Sequence, residues 1–122
     1  MKYVRIYTDQ NGDSHFEDVE VAMSLINFAP PAPPVDVSPL MSSTTVGFLG
    51  FPAGWYGPPH PAPRRQFLFL LTGEGEVAVS DGEVRHFAPG SVMLAEDTWG
   101  KGHTTRVVGN EYGLVAVVQL PD

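Results

Sequence analysis

The stretch that decides the fold is Gly54–Gly73, GWYGPPHPAPRRQFLFLLTG. It begins in a Gly/Pro-rich turn, places His60 just before a rigid Pro-Ala-Pro step, and continues through two arginines to Gln66. An apolar run, Phe67–Leu71, follows and leads into a Thr-Gly pair that is typical of the start of a hairpin. Small β-barrels usually place a ligand where a polar cluster meets the mouth of a buried strand. The stretch therefore predicts a buried strand with a candidate site at its beginning.

Short β-type segments separated by turns recur along the rest of the chain. Alternating or β-branched runs predict strands over residues 3–7, 16–21, 44–51, 67–72, 76–80, 83–87, 91–95, 103–108 and 114–120. Asn11-Gly12 and Asp81-Gly82 are specific hairpin turns. Residues 22–28 fit a short helix or a strand equally well, and no longer helical pattern is present. Eight to ten short strands of this kind predict an all-β sandwich or barrel.

A proline-rich segment, APPAPPVDVSP, follows the first two predicted strands at residues 29–39. Proline fixes φ and cannot donate to a strand ladder, so the segment is expected to be an extended arm that wraps the barrel or reaches a partner subunit. A flexible linker is the alternative. The chain is accordingly divided into an N-terminal hairpin and arm over residues 1–43 and a barrel over residues 44–122, in one domain.

Composition excludes several classes of function. The 122 residues carry a net charge of −7, and no basic stripe is present, which argues against nucleic acid as a partner. The chain has no cysteine, so disulfides and thiolate metal sites are excluded. No apolar run is long enough to span a bilayer, and the first ten residues have no apolar signal-peptide core. A soluble, cytoplasmic protein without a membrane partner is therefore expected.

The spacing of the central residues resembles the first motif of small cupins, in which a glycine precedes His-x-His, a glutamate and a closing glycine. Five residues separate Gly54 from His60 and Gly73 closes the motif, but Ala62 stands at the second histidine position and Gln66 at the glutamate position. The second motif begins at Gly90, and its histidine position falls near His103. The resemblance covers roughly residues 44–120. It implies a double-stranded β-helix, a jelly-roll barrel, with a degenerate ligand set.

Cupins hold one divalent transition metal, such as iron, manganese, nickel, copper or zinc, on three histidines and a glutamate. The resemblance carries His60, Gln66 and His103 to these positions as tentative metal ligands. Glu96 or Asp97, in the divergent loop before His103, could supply a missing carboxylate. The alternative is a pocket without metal, in which the same three residues act as catalytic groups, because histidine titrates near neutral pH and serves as acid or base.

Four further residues are candidates for substrate binding. Arg64 could clamp an anionic group, since it shares strand parity with His60 and Gln66, although a surface ion pair is an equal alternative. Tyr56 and Trp99, and Trp55 beside Tyr56, could stack on a ligand at the barrel mouth, or could pack in the core or a dimer interface. Glu96 is the fourth candidate. His86, on the hairpin between the motifs, is expected to be a surface residue.

Three functions remain open from the sequence. The first is an enzyme acting on a small molecule by isomerase, lyase or oxygenase chemistry, with or without a metal. The second is a non-catalytic cupin that binds or senses a small molecule. The third is a barrel kept for assembly. The resemblance also implies a homodimer, since cupins commonly pair through their N-terminal strands.

Overall fold

The chain consists of twelve β-strands and no helix in the computed structural model, which describes residues 1–122. The strands are β1 Lys2–Thr8, β2 Ser14–Glu20, β3 Ser24–Ile26, β4 Val35–Val37, β5 Thr45–Phe51, β6 Tyr56–His60, β7 Gln66–Thr72, β8 Glu74–Val79, β9 Val84–Phe87, β10 Val92–Ala95, β11 His103–Val108 and β12 Gly113–Gln119. The prediction of an all-β chain is confirmed. No helix has the length and apolar character that crossing a bilayer requires.

Two sheets form the barrel. The larger has six strands in the order β2-β1-β10-β7-β12-β5, and the smaller has four in the order β6-β11-β8-β9. All pairings are antiparallel except that of β1 with β10, which is parallel. Residues 2–20, grouped above with the arm, thus contribute two strands to the six-stranded sheet, with β2 at its edge.

The alternation of side chains along each strand fills the space between the sheets. Ile6 and Phe16 of the larger sheet pack with Val77, Val79 and Phe87 of the smaller one. Burial of this cluster contributes hydrophobic stabilisation. A cavity lies next to the cluster between the sheets, and Val77 and Phe87 belong to both. The core therefore forms one wall of the site.

The outer face of the six-stranded sheet is also apolar. Cross-strand register places Val46 of β5 opposite Val118 of β12, which lies opposite Phe67 of β7. Phe48, Ala116 and Phe69 form the next row in the same way. Val46 and Phe48 are more than two-thirds exposed. An antiparallel sheet with one solvated face usually alternates apolar and polar residues, so this second apolar face is unusual.

The proline-rich segment does not form the extended arm predicted from its composition. Strands β3 and β4 pair with each other to make a small two-stranded hairpin, and the prolines at 30 and 31 lie in its turn. The reason is positional, because prolines in a turn remove no ladder donor while the flanking Leu-Ile and Val-Asp-Val segments remain free to pair. Every residue from 22 to 36 is exposed.

Candidate functional site

Three of the predicted site residues lie in one cavity. His60 ends β6, His103 begins β11, and these two residues are direct partners across the antiparallel pair. Gln66 begins β7 in the opposite sheet. All three line a cavity of about 170 Å³ between the sheets. The residues that the sequence placed at cupin ligand positions are therefore neighbours in space.

The chain before β11 must approach His60 very closely to make this arrangement. Gly102 has φ of +71°, a left-handed conformation that favours glycine. A Cβ atom at this position would lie 2.1 Å from the carbonyl carbon of His60. The Gly-His step at 102–103 thus allows β11 to begin directly beneath His60.

A buried carboxylate lies on the side of His103 away from the cavity. The Nδ1 atom of His103 is 2.6 Å from Oδ2 of Asp97, and both side chains are buried. Asp97 is held in place through its backbone, whose carbonyl accepts a hydrogen bond from the Ala62 amide. The other carboxylate oxygen, Oδ1, is the one buried side-chain polar atom of the protein without a hydrogen-bond partner. The Asp97 side chain therefore contacts only His103 through hydrogen bonds and does not line the cavity.

This pairing determines which nitrogen of His103 is available. An ionised carboxylate only accepts hydrogen bonds, so it holds the imidazole proton on Nδ1. In the neutral ring the Nε2 atom is then an acceptor, and it makes no hydrogen bond within the protein. A histidine oriented by a carboxylate in this way is suited to accept a proton from a ligand in the cavity.

His60, at the mouth of the cavity, also has its Nε2 atom free. Its Nδ1 atom donates to the carbonyl of Pro58 at 2.8 Å, because a carbonyl can only accept. The Nε2 atom again remains free, and the His60 and His103 ring centroids are 5.1 Å apart. His60 is exposed where His103 is buried, so it connects the site to solvent.

Gln66 offers a donor from the facing sheet. Its Oε1 atom accepts a hydrogen bond from Gln119 Nε2 at 3.3 Å, and its side chain is buried. The amide N–H groups of Gln66 are then left to donate to a ligand oxygen. The polar end of the cavity thus combines two imidazole acceptors with one amide donor.

The donor set does not fit the four-ligand metal site of the cupin family. No three His, Asp or Glu side chains in the protein are grouped so that they could hold a metal ion. Gln66 is neutral, Ala62 has no donor atom, and Asp97 is directed at the back of His103. Two imidazoles without a carboxylate form a weak site for a divalent ion.

The four residues predicted to bind substrate lie outside the cavity. Arg64 is exposed in the loop between β6 and β7 and makes no ion pair. Tyr56 and Trp99 are both more than half exposed. The strand-parity reasoning used for Arg64 does not apply, because residues 61–65 are not in a strand. Glu96 does not line the cavity either, and the contacts of the four residues with a substrate stay predictions.

Glu96 instead links β1 to the segment before β7 through ion pairs. Its carboxylate accepts hydrogen bonds from Arg5 Nε at 2.5 Å and from Arg65 Nε at 2.6 Å. Burial by itself raises the pKa of Glu96, but the hydrogen bonds and charges of Arg5 and Arg65 outweigh it and hold the pKa below its usual range. Arg65 also donates to the carbonyl of Pro121. Glu96 is therefore a structural residue that ties β1 to the segment entering β7.

The remainder of the cavity is lined mostly by apolar side chains, and by no lysine or arginine. Ten of its eighteen lining residues are hydrophobic, among them Leu68, Leu70, Val107 and Val115. None of the seven lysines and arginines contributes to the lining. Glu74 is the only aspartate or glutamate of the lining, and its exposed side chain pairs with that of His86. His86 is exposed, as the sequence predicted.

Of the three aromatic residues expected at the barrel mouth, Trp55 lines the cavity, whereas Tyr56 and Trp99 do not. One site residue is missed by the sequence in its observed role. The sequence offers Asp97 only as a metal ligand, and the structure places its carboxylate behind His103. The sequence signal for the pairing of Asp97 with His103 is an aspartate six residues before a histidine, in a loop rich in glycine.

Comparisons with known proteins address the fold. No protein-family profile and no curated protein matches the chain. Among solved structures, the cupin domain of Cnp3 from Schizosaccharomyces pombe superposes over 100% of this chain and 83% of its own, with a TM-score of 0.54 at 14% identity. An RmlC-like cupin from Desulfovibrio desulfuricans covers 80% of this chain and 81% of its own, with a TM-score of 0.46 at 21% identity. Together with the two facing sheets, the full-length superposition on Cnp3 shows that this chain has the cupin jelly-roll fold.

Proposed function

We propose that the protein binds a small molecule in the cavity and transfers a proton to or from it through His103. The observation that carries this proposal is the pairing of His103 with Asp97, whose carboxylate is fully buried and bonded on one oxygen only to the imidazole. A group buried at this cost needs a compensating role, and orienting a base is one that the geometry supports. The reaction class is therefore isomerase-like or lyase-like acid/base chemistry.

The chemical step uses the three polar residues in different ways. Nε2 of His103 accepts a proton from an acidic carbon of the ligand, and the electron pair of that C–H bond moves into a new C=C bond. The carbonyl oxygen of the ligand takes the displaced pair as an enolate, to which Gln66 donates an amide N–H. The resulting imidazolium is stabilised by Asp97. Return of the proton to another carbon gives an isomer, and loss of a leaving group gives an elimination product.

The second candidate is binding or sensing without turnover. It is favoured by the exposure of His60 and by the apolar lining of the cavity, which need no chemistry to hold a ligand. In this case the three polar residues only recognise the ligand. The two functions differ in whether a proton leaves the ligand, which can be measured directly.

Exchange of ligand hydrogens with solvent deuterium tests the proposal. A panel of small uncharged ketones, aldehydes and enones is incubated in D₂O with the protein, and loss of α-proton signals is followed by ¹H NMR. We expect exchange of at least one compound to be accelerated, and His103→Gln to reduce that rate by about 10²–10⁴-fold. His86→Gln is the matched control, because it removes an exposed histidine outside the site.

Asp97→Asn tests whether the Asp97 carboxylate positions the His103 ring for proton transfer. The asparagine keeps the size of the side chain but loses the anionic acceptor, so the exchange rate should fall while ligand affinity changes little. Equal exchange rates with the wild type and His103→Gln, for a compound that both bind, would overturn the proton-transfer function and leave binding as the function of the cavity.

A further inference from the structure

We infer that the ligand of the cavity is a non-anionic, mostly apolar molecule about the size of a substituted benzene ring, with one polar group at the histidine end. The inference rests on the proposed function only in using the same histidines to hold that polar group. It is carried by the distribution of charge and apolar surface around the cavity, which is independent of any proton transfer.

The size of the cavity limits the ligand. Its volume of about 170 Å³ is close to that of engineered protein cavities of about 150 Å³ that bind benzene. The walls are apolar on both sheets, with Leu68 and Leu70 from β7 facing Val77 and Val107 from β8 and β11. Such walls favour a ring or a short branched chain over a hydrated sugar, since a buried hydroxyl without a partner is costly.

The charge of the surroundings excludes anionic ligands. No arginine or lysine lines the cavity, and Arg64, the residue expected to bind an anion, is outside it. Arg65 and Arg5 are both engaged by Glu96. The net charge of −7 adds a repulsive field at longer range. A phosphate or carboxylate placed between the sheets would be desolvated without a counter-ion.

The polar end of the cavity is suited to one ligand group that has a transferable or hydrogen-bonding proton. The free Nε2 atoms of His60 and His103 both accept, and the amide of Gln66 donates. A hydroxyl or an enolisable carbonyl satisfies these groups without introducing a formal charge. Phenols, small ketones and enones are the chemical classes that meet all three conditions.

Three matched aromatic probes test the ligand class. They are 4-nitrophenol, 4-nitroanisole and 4-nitrophenyl phosphate, which share a ring and differ in having a proton-bearing group, an apolar group or an anion. Binding is followed by quenching of Trp55, which lines the cavity, in a Trp99→Phe background that removes the other tryptophan. We expect both uncharged probes to bind and the phosphate ester to bind at least about tenfold more weakly. Phosphate ester binding as tight as that of the phenol, or binding by none of the probes, would overturn the ligand class.

The same titration separates this inference from the proposed function. The yellow phenolate band of 4-nitrophenol, recorded below the pH at which the free phenol ionises, reports whether the bound phenol gives up its proton. The probe enters as the neutral phenol, and proton transfer to His103 creates the imidazolium that pairs with the bound phenolate, so binding with the phenolate band supports both claims. Binding without it keeps the ligand class and contradicts the proton-accepting role of His103.

A pair of variants on β5 tests the role of charge directly. Leu49 lines the cavity, whereas its neighbour Phe48 lies on the outer face of the same strand. Leu49→Arg should bring the phosphate ester to an affinity comparable with that of the phenol, and Phe48→Arg should leave all three affinities unchanged. Failure of Leu49→Arg to gain the phosphate ester would contradict the claim that the missing cation excludes anions.

Discussion

At His103, the position of one proton determines what the side chain can do. With Asp97 ionised, the proton is on Nδ1 and the free Nε2 atom is a base. If Asp97 were instead the donor in this bond, Nε2 would carry the proton and the imidazole would offer the cavity a hydrogen-bond donor. The function proposed for the cavity therefore depends on a pair of atoms 2.6 Å apart.

Glu96 illustrates how a candidate site residue can prove to be structural. Glu96→Gln keeps the shape of the side chain but leaves Arg5 and Arg65 without their shared anion. Because the carboxylate is mostly buried, we expect the variant to lower the free energy of unfolding by about 2–3 kcal/mol. Chemical denaturation measures this change.

Glu17→Gln is the matched control for Glu96. Glu17 also contacts Arg5, at 3.5 Å, but its side chain is half exposed, so the cost should be below about 1 kcal/mol. Loss of probe binding in Glu96→Gln without loss of stability would show instead that Glu96 contacts the ligand, as the sequence suggested.

The site was predictable from sequence only where spacing is fixed by the barrel. His60, Gln66 and His103 occupy strand ends that the cupin-like spacing places together, and they do share a cavity. Asp97 and Arg64 lie in irregular segments, where alternation gives no direction for a side chain. Their surroundings depend on loop backbone, such as the approach of Gly102 to His60, that spacing does not specify.

At the scale of elements, His15 joins the β1–β2 hairpin to the turn between β8 and β9. Its Nε2 atom lies 2.6 Å from Asp9 Oδ2, and its Nδ1 atom lies 2.8 Å from Asp81 Oδ2. A neutral imidazole has a single N–H, so both bonds to ionised carboxylates require the protonated ring. The hydrogen bond to Asp9 is the main cause that raises the pKa of His15. The same bond lowers the pKa of Asp9.

This bridge gives stability a defined pH dependence. Because the pKa of His15 is raised in the folded state, its contribution is complete below the unfolded value of about 6.5 and is lost as pH rises through the folded pKa. We expect the melting temperature of the wild type to fall over this interval and that of His15→Gln to be flatter there. Differential scanning calorimetry between pH 5.5 and 9 measures both curves.

His86→Gln is again the control, since His86 contacts a single carboxylate on the surface. It should retain the slope of the wild type. If His15→Gln falls as steeply as the wild type above pH 6.5, the bridge does not couple folding to proton binding. On the acid side the contribution of Asp9, whose pKa is lowered, should disappear only at low pH.

Two elements show where reasoning from residue types reaches its limit. Strand β6 contains a glycine and two prolines, which locally favour a turn, yet it pairs with β11 at the edge of its sheet, where proline is tolerated. The hairpin of β3 and β4 likewise contains residues that locally favour an extended arm. In both cases tertiary pairing outweighs local propensity.

The outer surface of the molecule carries exposed apolar side chains. The hairpin exposes Leu25, Ile26 and Phe28, and the outer face of the larger sheet exposes Val46 and Phe48. The partly buried phenylalanines of β7 extend that sheet face, and a stable interface buries roughly 800 Å² per partner. The homodimer expected from the resemblance would bury this sheet face.

We therefore expect the protein to be a dimer in solution, with the outer sheet face at the interface. Phe48→Asp should produce a monomer that still binds the uncharged probes, because Phe48 lies on the face away from the cavity. Val84→Asp, at an exposed position on β9 of the other sheet, should remain dimeric. Size-exclusion chromatography with light scattering distinguishes these states. A monomeric wild type, or a dimeric Phe48→Asp, would contradict this arrangement.

The overall architecture followed from the sequence more closely than any single loop did. Glycine turns such as Asp81-Gly82, where Gly82 has φ of +101°, and apolar alternation fix where strands begin and end. Which strands pair is less accessible, because the parallel neighbour of β1 is β10, nearly ninety residues later. The crossover of the N-terminal hairpin into the larger sheet could therefore not be read from local pattern.

The protonation state of the His103 ring tests the central claim most directly. Long-range ¹H–¹⁵N NMR of the histidines, at a pH where imidazoles are neutral, identifies which nitrogen of each ring carries the proton. We expect His103 to be the Nδ1–H tautomer in the wild type and to lose that preference in Asp97→Asn. A His103 ring protonated on Nε2 in the wild type would mean that Asp97 does not hold a base toward the cavity, and would contradict the proposed function.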